Sequence, residues 1–140
     1  MVVLITAIAV AVTSLIAGCG SASAPASGQI IGVTEKDFQI TTSVSRAVSG
    51  VVVLRVRNAG PDPHELIVAP QRVGGLPIRS DGLTVAEAAI ESSEPGLLEP
   101  GQPGVTRDLR LHLAPGRYVL FCNMEGHYMA GMKTELVVAG

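Results

Sequence analysis

The residues best suited to chemistry lie close together near the C-terminus. The segment Cys122-Asn123-Met124-Glu125-Gly126-His127-Tyr128-Met129-Ala130-Gly131-Met132 offers a thiolate, an imidazole and several thioethers. It holds every Met other than Met1, and one of only two Cys. His64 adds a second imidazole, directly after the turn-rich Asn58-Ala59-Gly60-Pro61-Asp62-Pro63. Taken as a set, the donors are His64, Cys122, His127 and Met132. A structural zinc site wants four strong Cys/His ligands. Non-haem iron wants two His and a carboxylate, and hard cations want oxygen. Two His, one Cys and a weak Met sulfur is the donor set of a mononuclear blue-copper centre, in which soft sulfur favours Cu(I) and imidazole serves both oxidation states.

These donors must be carried by strands. Residues 51–57 alternate, with Val52, Leu54 and Val56 on one face and Val53, Arg55 and Arg57 on the other. Residues 105–113 alternate again, with Leu109, Leu111 and Leu113 inward and Asp108, Arg110 and His112 outward. That places His112 on the solvated face. Tyr118, Leu120 and Cys122 share one face of a strand over 117–122, and Tyr118 reads as a corner residue whose hydroxyl bonds backbone. Met132, Thr134, Leu136 and Val138 share one face of the last strand. Shorter β-type runs fall at 29–33, 37–41 and 64–68. Repeated strands between Gly/Pro turns predict an all-β sandwich. Residues 70–104 break the rhythm. Within them Thr84-Val85-Ala86-Glu87 is a capping-box pattern, with Leu83 placed to staple on Ala88, and predicts a short helix over 85–91. The rest of this segment is expected to cross between the two sheets.

The Cys122–Met132 spacing, C-x4-H-x4-M, resembles the ligand loop of the cupredoxins, the plastocyanin and azurin class. Leu113-Ala114-Pro115-Gly116-Arg117-Tyr118 ahead of the Cys strand is similar to the family, and so is the turn Asn58-Ala59-Gly60 before His64. The resemblance covers about residues 29–140. It implies a Greek-key β-sandwich with copper near one end, His64, Cys122 and His127 as equatorial ligands, and Met132 as axial ligand. It also implies that electrons pass through the exposed edge of His127. Family members place Asn after the first His, where it ties the ligand loops together. Here that residue is Glu65, so the tie is sought in Asn58, Glu65 or Asn123. Met124, Tyr128 and Met129 surround His127 and either form an apolar docking rim or pack the loop.

Residues 2–17 are uncharged and almost wholly apolar, and fall short of the roughly twenty residues that span a membrane. Ile16-Ala17-Gly18-Cys19 resembles a bacterial lipobox, in which the Cys is lipidated. The first cation of the chain is Lys36, so the usual Lys or Arg at the start of such a signal is missing. A short transmembrane anchor is the alternative. The organisation expected is a signal peptide over 1–18, a lipidated Cys19 with a flexible tether over 19–28, and a copper-binding domain over 29–140.

The composition narrows function further. The chain has 140 residues, ten Lys+Arg and twelve Asp+Glu, two Phe, two Tyr and no Trp. With no strongly basic footprint and only four aromatics for stacking, nucleic acid is not an expected partner. A second copper centre would need more His, and His112 alone is left over, so no catalytic residue and no enzyme activity are expected. The function expected is electron transfer by a lipid-anchored, extracytoplasmic copper protein, with a redox protein as partner. Copper buffering or delivery, with a copper-trafficking partner, is the alternative.

Overall fold

The computed structural model describes residues 28–140. The expected signal, Cys19 and the tether through residue 27 lie outside the described residues. Nine strands form two mixed sheets. They are β1 Gln29–Lys36, β2 Gln39–Thr42, β3 Arg46–Val48, β4 Gly50–Asn58, β5 His64–Pro70, β6 Gly96–Gly101, β7 Thr106–Leu113, β8 Gly116–Phe121 and β9 Lys133–Ala139. One sheet has the order β2-β1-β4-β7, the other β3-β9-β8-β5-β6. The β1–β4 and β3–β9 pairs are parallel and the rest antiparallel.

Alternation puts one face of each sheet into a shared core. Ile31 and Val33 of β1, Val52, Leu54 and Val56 of β4, and Leu111 and Leu113 of β7 meet Leu66, Val68, Tyr118, Leu120, Cys122, Leu136 and Val138. At roughly 1.5–3 kcal/mol per buried aliphatic side chain, this interior is the main source of stability. The Tyr118 hydroxyl donates to the Ala114 carbonyl at 3.0 Å, closing the corner before β8.

A second core covers the outer face of the β5/β8 sheet. Ile67 and Ala69 of β5 and Val119 and Phe121 of β8 pack against Leu76, Val85, Ile90 and Tyr128. Residues 71–95 supply most of that cover. Three expectations are corrected here. No α-helix forms over 85–91. Instead there are two 3-10 turns, Glu87–Ala89 and Glu91–Ser93, and no side chain caps either. Val85 is fully buried and bridges to Ile78, so it cannot open a helix, and the Glu87 carboxylate is occupied by Asn123. Nor do residues 70–104 cross between sheets as a whole: they leave β5, return beside it as β6, and cross only in the short turn before β7. β6 is an edge strand, one of the places where a sheet accommodates a proline such as Pro100. Finally, the run at 37–41 is interrupted. Asp37 and Phe38 form the β1–β2 hairpin turn, with Phe38 in the left-handed region at φ 58°.

Candidate metal centre

His64 is the first residue of β5, Cys122 directly follows β8, and Met132 directly precedes β9. The three therefore stand at one end of one sheet, and the loop joining the last two brings His127 back to them. Ligand atoms of His64, Cys122 and His127 all lie within 4.8 Å of one another. Cys122 Sγ is 3.5 Å from His127 Nδ1, and the two imidazole centroids are 5.2 Å apart. His64, Cys122 and Met132 are fully buried, while His127 is half-buried.

The loop is held by its own backbone. The His127 N–H donates to the Met124 carbonyl at 2.9 Å, the Met132 N–H to the His127 carbonyl at 2.9 Å, and the Cys122 N–H to the Met132 carbonyl at 3.1 Å. Three donors are thus linked through main chain alone. Gly126 and Gly131, each just before a donor, take φ values of 80° and 103°, which cost other residues backbone strain.

Side chains hold the second half of the site. Asn58 is buried and closes the turn ahead of His64: its Nδ2 donates to the carbonyls of Asp62 at 2.7 Å and Gly101 at 2.9 Å, and its Oδ1 accepts the Gly60 N–H at 2.9 Å. Glu65 Oε1 accepts the Asn123 N–H at 3.0 Å, joining the residue after His64 to the residue after Cys122. Asn123 in turn grips the covering segment. Its Oδ1 accepts the Val85 N–H at 2.6 Å, and its Nδ2 donates to the Val85 carbonyl at 3.0 Å and to Glu87 Oε1 at 2.6 Å.

Around His127 the neighbours differ in exposure. Met129 is exposed, Met124 is partly buried against the core, and Tyr128 is buried. Tyr128 meets Phe121 edge-on at 5.3 Å, with the Lys133 ammonium 4.1 Å from its ring centroid. His112 is exposed on β7, opposite Val51. Four residues near the site escaped sequence reasoning. Phe38, half exposed, meets His127 edge-on at 5.4 Å. Asp37 Oδ1 lies 3.5 Å from His64 Nε2. Glu35 is fully buried on the inner face of β1, and Arg107 reaches over it to the His64 carbonyl at 3.2 Å. A charged residue at an inward position of an otherwise apolar alternation, as at Glu35 and Arg107, is the one signal the sequence carried for them.

The electrostatics suit a cation. Burial pushes the Cys122 thiol up to about 11, with the nearby carboxylates of Glu65 and Glu35 adding to it and backbone N–H groups opposing. Burial and the neighbouring His127 hold His64 below the ordinary imidazole value, against Asp37 and Asp62. His64 is therefore neutral at pH 7. Neither of its buried ring nitrogens has a hydrogen-bond partner. A buried polar atom without a partner demands a reason, and a ligated cation supplies one. It would also displace the thiol proton of Cys122.

No protein-family model matches the sequence, and no curated protein does either. Solved structures do match. Reduced auracyanin from the photosynthetic bacterium Roseiflexus castenholzii is 18% identical, with a TM-score of 0.59 over 83% of this chain and 100% of its own. Auracyanin A from Chloroflexus aurantiacus, a "blue" copper protein, is 18% identical, with a TM-score of 0.57 over 79% of this chain and 98% of its own. Rusticyanin from Thiobacillus ferrooxidans is 12% identical, with a TM-score of 0.55 over 81% and 79%. The chain has the cupredoxin fold, a mixed β-sandwich with a His, Cys, His and Met donor set gathered at one end.

Proposed function

We propose that this chain is a mononuclear type 1 copper protein that carries single electrons. The observation that carries the reading is the set of three ligand atoms, one thiol and two imidazoles, within 4.8 Å of one another on anchored backbone. Bound copper would supply the one-electron couple, alternating between Cu(II) and Cu(I). His64, Cys122 and His127 are the strong ligands and Met132 the weak fourth. The chain's own contribution is to hold these donors still and dry. His64, Cys122 and Met132 are fully buried, so these donors are kept from water. The Glu65–Asn123 and Asn58–Gly60 hydrogen bonds keep the two ligand segments in place, as outer partners of metal ligands generally do.

Electrons enter and leave at the half-buried edge of His127. The docking rim for a redox protein partner is Met129 and Phe38, both exposed, with Met124 at its inner margin. Tyr128 supports the rim from beneath. Copper buffering or delivery is the second reading, favoured by the exposed thioether of Met129 two residues from His127. The protein is held outside the cytoplasm by a lipid on Cys19, following a signal over 1–18. Among the described residues no helix is long and apolar enough to cross a membrane.

Copper(II) added to the metal-free protein should give an intense visible thiolate-to-copper band and a reversible one-electron wave. Cys122→Ala should abolish both. A colourless wild-type complex would sink the electron-transfer reading, and loss of copper to a weak chelator in both oxidation states would favour handling. Mass spectrometry of membrane-extracted protein tests the anchor, which an unmodified Cys19 would refute.

A further inference from the structure

The β1–β2 turn adds nothing to the sandwich core, yet two consecutive residues of it meet the two histidines. Phe38 touches the His127 ring, and Asp37 Oδ1 stands 3.5 Å from His64 Nε2. The His64 ring is fully buried, and both its nitrogens lack a hydrogen-bond partner. A neutral imidazole carries one N–H and one lone pair. If Nδ1 offers its lone pair to a metal, Nε2 must carry the proton, and a buried N–H left without an acceptor is destabilising. The carboxylate facing Nε2 is Asp37.

The surroundings are shaped for that approach. A Cβ on Gly60 would come within 2.7 Å of Asp37 Oδ1 and 2.9 Å of His64 Nε2, so the bare glycine leaves the gap the two groups share. The turns that bring them together are pinned to each other. The Ala59 N–H donates to the Glu35 carbonyl at 2.8 Å, and Asn58 holds the Gly60 N–H. At 3.5 Å the contact is longer than a formed N–H···O bond. The Asp37 side chain is 37% exposed and free to turn the remaining few tenths of an ångström.

We propose that Asp37 is a positioning residue of the metal centre, whose carboxylate accepts the His64 Nε2–H and so fixes the tautomer that presents Nδ1 to the metal. The part concerning metal affinity rests on the copper reading; the tautomer does not. A carboxylate on the far nitrogen also makes the ring a more basic ligand and strengthens its hold on Cu(II) over Cu(I).

Long-range nitrogen–proton correlation of the metal-free protein reads the tautomer directly. The wild type should show one form, with Nε2 protonated and Nδ1 bare. Asp37→Ala should give a mixture, and Asp37→Asn, whose amide oxygen still accepts, should restore the single form. Copper(II) affinity should fall roughly ten- to a hundredfold in Asp37→Ala. Asp62→Asn removes another charge that acts on His64 and should change affinity by less than about twofold, since a lone rim charge is screened. Gly60→Ala should wedge the pair apart and reproduce the Asp37→Ala tautomer mixture. Nδ1–H in the wild type, an unaltered tautomer in Asp37→Ala, or an Asp62→Asn effect equal to that of Asp37→Ala would each overturn the proposal. If the wild type takes up no copper, the copper reading fails while the tautomer comparison still decides the role of Asp37.

Discussion

At the scale of single residues, Glu35 carries an unbalanced cost. It occupies an inward position of β1, continuing the row of Ile31 and Val33, and its side chain is fully buried. Neither carboxylate oxygen has a hydrogen-bond partner. The Arg107 guanidinium comes no closer than 3.8 Å and is shared with the carbonyls of His64 and Glu99. Burial raises the Glu35 carboxyl to about 7, Arg107 opposes the rise, and Glu65 adds to it. The sign follows from the direction. The native protein binds this proton more tightly than the unfolded chain does, so the ionisation of Glu35 costs nothing below its ordinary value of 4.5. Its cost grows as pH rises toward 7 and is complete above that, at on the order of 3 kcal/mol. Glu35→Gln removes the ionisation. Urea unfolding of the metal-free proteins should show the variant gaining on the wild type between pH 4.5 and 8, by about 1–3 kcal/mol. A gap that does not change with pH would show that Glu35 finds a partner when ionised.

At the scale of elements, the covering segment 71–95 and the metal loop share one fastener. Asn123 satisfies both backbone groups of Val85, which is buried, and also binds Glu87. Asn123→Ala strands the Val85 N–H and carbonyl in an apolar setting, at about 1–3 kcal/mol. Amide exchange at Val85 and through the 3-10 turns should speed up at least tenfold, while β4 and β7 stay protected. Uniform acceleration across both sheets would place the loss in global stability instead. This fastener also marks where sequence reading stops. Long strands with clean alternation, such as β4 and β7, were legible because burial on one face leaves a two-residue period. The donors were legible because Cys, His and Met at that spacing are chemically distinctive. β3 and β6 were not, since a three-residue edge strand and a strand ending Glu99-Pro100-Gly101 have no period to show. The capping-box pattern at 84–87 misled because its Glu87 is taken by Asn123, far away in sequence. Asp37 and Phe38 look like strand residues locally. Their contacts with His64 and His127 exist only once both sheets are in place.

At the scale of the molecule, the donors belong to the β5/β8/β9 sheet, but what holds His64 from outside comes from the other one. The Asp37 turn joins β1 to β2, and Asn58 ends β4. Glu35 stands opposite Asn58 in the β1–β4 register, and Arg107 of β7 reaches across to the His64 carbonyl. A ligated metal would therefore fasten both sheets, not one loop. Backbone hydrogen bonds tie Cys122, His127 and Met132 to one another, so binding requires little ordering and most of the affinity is available as stability. A ligand taken only by the native state adds about 2.7 kcal/mol when its free concentration is a hundred times its dissociation constant. For a domain of this size that corresponds to a rise in Tm of about 10 °C or more. Thermal unfolding with copper should thus remain a single transition, shifted up as a whole, and Cys122→Ala should show no shift. An early melting step retained at the metal-free temperature would mean that the metal stabilises its loop alone. An unshifted wild type would mean that the convergence of His64, Cys122 and His127 serves no metal, and that the fold is used for something other than copper.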